Sequence, residues 1–145
     1  MAHEATRKRT RVILADDNKE MVDTIAGLLE STSECDIVGT VADGRALVDA
    51  ALELKADVGI IDISMPIMNG IVAAAEIRRL GSDMKIIFLT VNEDCDFVRA
   101  AFDTGASGYV VKRKMASDLQ LAIHACLAGE RFVSSGCEIG TDAYS

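Results

Sequence analysis

The chain has 145 residues, half of them hydrophobic, with 15 basic and 23 acidic side chains and a net charge of −8. That length and apolar content suit one folded domain with a buried core and exclude wholesale disorder. The acidic balance argues against a nucleic-acid-binding surface, and no apolar run approaches the roughly 18 residues of a membrane span.

Residues 1–10 form a polar, basic lead-in with no apolar stretch behind it, so they do not read as a secretory signal. The cluster Arg7, Lys8, Arg9 and Arg11 reads most simply as solvated charge. Val12-Ile13-Leu14-Ala15 predicts a first strand, which ends at Asp16-Asp17. After Asn18, the apolar residues Met21, Ile25, Leu28 and Leu29 recur at helical spacing. Ile37-Val38 begins a weaker second strand reaching about Val41. Asp43-Gly44 opens a helix with the stripe Leu47, Ala50, Ala51 and Leu54. Val58-Gly59-Ile60-Ile61 predicts a third strand, ending at Asp62, and the turn from Ile63 to Gly70 follows. Ala73, Ala74, Ile77 and Leu80 mark the next helix, which Gly81 closes. Ile86-Ile87-Phe88-Leu89 predicts a fourth strand ending at Thr90. Phe97, Val98, Ala101 and Phe102 mark a short helix that stops near Gly105. Gly108-Tyr109-Val110-Val111 predicts a fifth strand ending at Lys112. In the last helix, Leu119, Ala122, Ile123, Cys126 and Leu127 form the apolar face, Ser117 and Gln120 suit a capping box, and Gly129 suits a terminator. Residues 130–145 show no sustained periodicity and read as a tail or the start of a linker.

Five strands alternating with five helices predict a single α/β domain over residues 11–129, a five-stranded parallel sheet with helices on both faces. The strands are continuous apolar runs, as burial of both sheet faces requires. Ligands of such sheets bind beyond the carboxyl ends of the strands. Asp16, Asp17, Asp62, Thr90 and Lys112 all fall there. Cys35, Cys95, Cys126 and Cys137 form no paired metal-ligand or redox motif and read as reduced thiols, with Cys95 and Cys126 packed as small apolar residues. His3 and His124 lie away from the strand ends and carry no catalytic expectation.

Three carboxylates in a small volume repel one another unless a cation neutralises them. Hard oxygen ligands suit Mg2+, or Mn2+ in its place. One carboxylate could act as a nucleophile and form an acyl phosphate. A lysine ammonium and a threonine hydroxyl would serve the equatorial oxygens of a phosphoryl group. Each piece alone has an ordinary reading: Asp-Asp-Asn as a helix cap, Thr90 as a structural hydroxyl, Lys112 as a solvated charge. The four together at one sheet edge point to phosphoryl transfer.

With these residues in place, the chain resembles the response-regulator receiver domain of bacterial two-component systems, a flavodoxin-like (βα)5 fold. Asp16-Asp17, Asp62 in Ile61-Asp62-Ile63-Ser64-Met65-Pro66 with Gly70, Thr90 and Lys112 carry the resemblance. Gly105 to Lys112, and Leu121-Ala122-Ile123 with Gly129, resemble the NarL/FixJ (LuxR-type) subfamily. The resemblance implies that Asp62 accepts a phosphoryl group from a histidine kinase, as a phosphoacceptor that assists its own phosphotransfer and autodephosphorylation rather than as a metabolic enzyme. It implies Mg2+ held by Asp17 directly, by Asp16 often through water, by Asp62, and by the backbone carbonyl of Ser64. Thr90 and Tyr109 would form the switch, Tyr109 rotating inward as Thr90 moves, and Lys112 would bind a phosphoryl oxygen. Ser64 and Asn92 would border the path of the hydrolytic water and tune the lifetime. Arg113 stands where many receivers have a proline in a cis peptide. A non-proline cis bond costs about 2.5–4 kcal/mol, so a trans bond is expected here.

The implied partners are a cognate histidine kinase and a homodimer contact, in a cytoplasmic setting with no membrane role. DNA would be met only through a helix-turn-helix output domain beyond residues 130–145. One alternative is a stand-alone receiver acting by protein contact. A remoter one is a haloacid-dehalogenase-like phosphatase, which would want an acid two residues after the nucleophile, where this chain has Ser64.

Overall fold

The computed structural model describes residues 9–32, 34–91 and 93–134. The expected alternation is present: β1 (Thr10–Ala15), α1 (Lys19–Glu30), β2 (Cys35–Val41), α2 (Gly44–Leu54), β3 (Val58–Ile61), α3 (Gly70–Arg79), β4 (Lys85–Thr90), α4 (Cys95–Asp103), β5 (Gly108–Val111) and α5 (Met115–Leu127). A sixth strand, β6 (Phe132–Val133), completes the sheet. All pairings are parallel, in the order β2-β1-β3-β4-β5-β6.

The sheet therefore has six strands rather than the expected five, and residues 130–134 are part of the fold rather than the start of a tail. Phe132 pairs with Gly108, and Val133 with Tyr109. Two residues are too short to show a period, which is why the strand is silent in the sequence. Residues 135–145 lie outside the described set, as do residues 1–8.

Alternate residues of each strand go to opposite faces. Val12, Leu14, Val58, Ile60, Ile87, Leu89 and Val110 pack with Ile25 and Leu29 of α1 and Leu119 and Ile123 of α5. Ile13, Ala15, Ile61, Ile86, Phe88, Tyr109 and Val111 pack with α2, α3 and α4 through Leu47, Ala51, Ala73, Ile77, Val98 and Phe102. Two apolar layers sandwich the sheet, as the unbroken apolar strands require.

From β1 the chain moves outward to β2, then returns to the other side of β1 for β3, β4 and β5. The reversal point is the β1–β3 boundary, where Ala15 pairs with Ile61. Asp16 and Asp62 are the next residues on either side of it. The Asp62 N–H donates to the Ala15 carbonyl at 2.8 Å, so the ladder continues one step into the site.

The last helix begins differently from expectation. A 3-10 turn, Lys112–Lys114, leads directly into α5, whose N-cap is Lys114 with no capping side chain. Ser117 lies inside the first turn and donates its hydroxyl to the Lys114 carbonyl at 3.1 Å, so the expected capping box does not form. Gly129, with φ +83°, closes the helix as expected. The described peptide bonds include no cis bond, so Arg113 follows Lys112 through a trans bond. Cys35 and Cys126 are free and buried. Cys95 is disulfide-bonded and exposed, against the expectation of a reduced, packed thiol.

Candidate functional site

Local chemistry sorts the residues after β1. Asn18, not an aspartate, caps α1: its side chain accepts from the Met21 N–H at 3.1 Å. The two acids before it are thereby released from capping. Asp16 is buried, and its Oδ1 accepts the Asn18 N–H at 2.9 Å, which fixes the carboxylate against the turn. Asp17 is exposed.

Asp62 follows β3 and is 7% exposed. One of its oxygens accepts the Ser64 N–H at 3.2 Å. The other lies 3.6 Å from Lys112 Nζ, and the same ammonium is 3.1 Å from Asp16 Oδ2. Lys112 thus bridges the ends of β1 and β3 from the end of β5. Asp16, Asp17 and Asp62 each present an oxygen within 4.8 Å of the others. That donor set, oxygen-only and half open to solvent through Asp17, fits a hard divalent cation that keeps some of its water.

Burial is the main influence on Asp62 and pushes its pKa up. Lys112 and the Ser64 N–H pull it down, while Asp16 and Asp17 push it further up. A carboxylate held among other carboxylates at low exposure is a poorly solvated anion, and hence a reactive one once a cation balances it.

Thr90 ends β4 and is buried; it pairs in register with Val111 of β5. Tyr109 is fully buried in the layer beneath α2, α3 and α4, with its phenol pushed up to about 12 by burial first and by Asp94 and Glu93 second. The structure thus holds Tyr109 inward. Asp16, Asp17, Asp62 and Lys112 are brought together, with Thr90 and Tyr109 on the adjoining strands. Asn92 lies outside the described residues, and so does His3. His124 is exposed and lies 2.8 Å from Glu34, far from this edge.

Three features escape a reading of the sequence. Arg113 makes a bidentate ion pair with Glu93, both contacts 2.7 Å, joining the loop after Thr90 to the turn after Lys112. The guanidinium holds the Glu93 carboxyl below its ordinary value. Ile67 has φ +71°, and the Met68 N–H donates across it to the Pro66 carbonyl at 2.7 Å. That is the rare, strained form of the γ-turn, on a β-branched residue 82% exposed at the lip of the site. Ser134, beyond β6, is a buried polar residue bonded to β5. Only the run Lys112-Arg113-Lys114 hinted at any of these, and it reads as solvated charge.

The profile of the response regulator receiver domain matches residues 12–124. The transcriptional regulatory protein LiaR of Bacillus subtilis is 38% identical over 120 residues, covering 83% of this chain and 57% of LiaR. Among solved structures, a LuxR-family two-component response regulator from an Aurantimonas species superimposes with a TM-score of 0.84 at 31% identity, covering 88% of this chain and 91% of that one. The isolated receiver domain of RcsB from Salmonella enterica serovar Typhimurium gives 0.80 at 32% identity, covering 87% and 94%. RcsB has also been seen as two dimers bound to two parallel DNAs. The chain spans between 51% and 62% of the length of the first three curated relatives it matches.

Proposed function

The chain belongs to the response regulator receiver family, in its NarL/LuxR-type branch, and from that premise we propose that Asp62 is a phosphoacceptor whose modification is the signal. The observation that carries the proposal is the Lys112 ammonium, 3.1 Å from Asp16 and 3.6 Å from Asp62. It ties the chemistry of three strands to one point.

In this reading a carboxylate oxygen of Asp62 attacks the phosphorus of a histidine kinase's phosphohistidine. The new O–P bond forms as the N–P bond breaks, and the imidazole leaves. Asp62 is selected over Asp16 and Asp17 by position: Asp16 is engaged by Asn18 and Lys112, and Asp17 is solvated. The Ser64 N–H fixes the rotation of the Asp62 carboxyl. Lys112 is already at the site and exchanges a carboxylate partner for a phosphoryl oxygen. Thr90 ends the neighbouring strand and offers its hydroxyl to another oxygen. Asp16, Asp17, Asp62 and the Ser64 carbonyl would hold Mg2+ (or Mn2+), which supplies charge neutralisation to the carboxylates and the phosphoryl group. Tyr109, inward and buried, would report the position of Thr90 to the β4–β5 surface. Ser64 and Asn92 would tune the lifetime of the acyl phosphate, and hydrolysis would return the domain to rest.

The first three curated relatives are transcriptional regulators that extend well beyond the matched region. We place this domain as the receiver of such a regulator, controlling a helix-turn-helix part and a homodimer contact from a cytoplasmic setting. The described residues contain no helix long and apolar enough to cross a membrane.

The test uses acetyl phosphate and Mg2+, read by intact mass. Wild type should gain one phosphoryl group and Asp62→Asn none; equal labelling of the variant would remove Asp62 from the role. Labelling of wild type should fall as the solution is acidified far enough to protonate Asp62, because the protonated carboxyl is not a nucleophile.

A further inference from the structure

We propose that Ser134, from the segment after α5, is a positioning residue for Lys112 and so for phosphoryl transfer; this rests on the reading of Asp62 as the acceptor. Ser134 is 8% exposed and engages β5 and its turn with three groups. Its N–H donates to the Tyr109 carbonyl at 2.9 Å. Its hydroxyl oxygen accepts the Val111 N–H at 2.7 Å. Its carbonyl accepts from Lys114 Nζ at 3.0 Å.

These bonds enclose the segment that delivers Lys112. β6 ends at Val133, so no third residue of that strand remains to satisfy the Val111 N–H. The Ser134 hydroxyl takes its place. Val111 is fully buried and paired with Thr90 on its other side. Without the hydroxyl, its N–H would face a buried space with no acceptor, and the end of β5 would have to shift to regain one. Lys112 is the next residue, and the 3-10 turn it begins ends at Lys114, the residue that binds back to the Ser134 carbonyl. Both ends of the turn are therefore anchored to Ser134. The Lys112 ammonium reaches Asp16 and Asp62 from this doubly held base. Displacements of about an ångström at a reacting centre can cost on the order of a hundredfold in rate, so a small relaxation of the turn should be visible in the chemistry.

The test is the rate of labelling of the whole chain by acetyl phosphate with Mg2+, read by intact mass, for Ser134→Ala in wild-type and Lys112→Met backgrounds. Ser134→Ala should label about three- to tenfold more slowly than wild type. It should cause no further slowing when Lys112 is already Met, since a residue acting through Lys112 has nothing left to act on. Lys114→Met, which removes only the second anchor, should slow labelling less and should be silent in the Lys112→Met background. This second variant carries the test if Ser134→Ala does not fold. Equal slowing in the two backgrounds would mean a general loosening of the sheet edge and would overturn the proposal; so would labelling at the wild-type rate. Asp62→Asn separates the two layers. If that variant labels, the acceptor reading fails. If it stays silent while Ser134→Ala labels normally, only the positioning role fails.

Discussion

The two ends of the sheet solve opposite problems with the same residue types. At the carboxyl end, Asp16 and Asp62 are buried beside one another, and a single ammonium serves both. At the amino end, Asp57 sits where one of its oxygens accepts the Arg11 N–H at 2.9 Å, while the Arg11 guanidinium donates to the Leu54 carbonyl. There a cavity of about 500 Å³ opens between the ends of α2, α3 and α5, lined by Leu52, Leu80 and Leu127 as well as by Asp57 and Lys85. Charges at the amino end have separate partners or solvent. Charges at the carboxyl end are crowded, desolvated and under-compensated. The difference shows that the fold concentrates its unfavourable electrostatics at the edge where chemistry is expected, and that the apolar layers between the two ends carry the stability.

The largest break in this comparison should come from Gly44, which does no chemistry. A Cβ there would lie 2.0 Å from the Met68 carbonyl oxygen. Gly44 is the first residue of α2, and Met68 belongs to the loop between Asp62 and α3, so this contact is where α2 meets the Asp62 loop. Backbone cannot yield as a side chain does. Gly44→Ala should cost about 3 kcal/mol or more in a denaturant melt. An unchanged midpoint would show that the loop after Asp62 is free to move away from α2.

Next in size, Asp62→Asn should stabilise the fold while ending labelling. The raised pKa gives the sign: between its unfolded and folded values the native state binds the proton more tightly, so Asp62 contributes least unfavourably at low pH, and stability is lost as pH rises through the folded value. Replacing the anion by an amide removes the cost of ionising it beside Asp16 and Asp17. A gain of about 1–3 kcal/mol at neutral pH is expected. The gap between variant and wild type should narrow as pH is lowered. A variant less stable than wild type at neutral pH would mean that the bond with Lys112 outweighs the crowding.

Much of the crowded end was legible in the sequence, and the reason is physical. Parallel strands buried on both faces are unbroken apolar runs, so an aspartate directly after Val58 to Ile61 is conspicuous. The same logic located Asp16, Thr90 and Lys112. What could not be read depends on contacts between residues distant in the chain. The close approach of Gly44 to Met68 exists only after α2 and the Asp62 loop have packed. β6 has two residues and borrows its stability from β5, so it leaves no pattern. Ser134 looks like any serine of a polar tail until its hydroxyl meets the Val111 N–H. The capping box at Ser117 had a correct local spacing but lost to the 3-10 turn at Lys112–Lys114, which starts α5 three residues earlier.

The finest comparison is between two residues with the same backbone anomaly. Among the described non-glycine residues only Lys55 (φ 52°) and Ile67 (φ 71°) have positive φ. Lys55 is the C-cap of α2 at the amino end, a place where the left-handed conformation satisfies the helix terminus and glycine is the usual occupant. Ile67 is at the lip of the site, β-branched, in a γ-turn. Glycine removes the steric cost at either position and adds chain entropy to the unfolded state, so each substitution should shift stability by only about 1 kcal/mol. Their effects on labelling should differ. Lys55→Gly should label as wild type does, because the end of α2 is tied to Arg11 at the opposite end of the sheet, through the Leu54 carbonyl. Ile67→Gly should change the rate, because the γ-turn lies on the short loop between Asp62 and Gly70, whose N–H donates to the Ile63 carbonyl at 2.8 Å. Releasing the turn loosens the segment that holds the Ser64 N–H against the Asp62 carboxyl. If Ile67→Gly gains stability and labels at the wild-type rate, the strain at the lip is incidental, and the two ends differ in electrostatics alone.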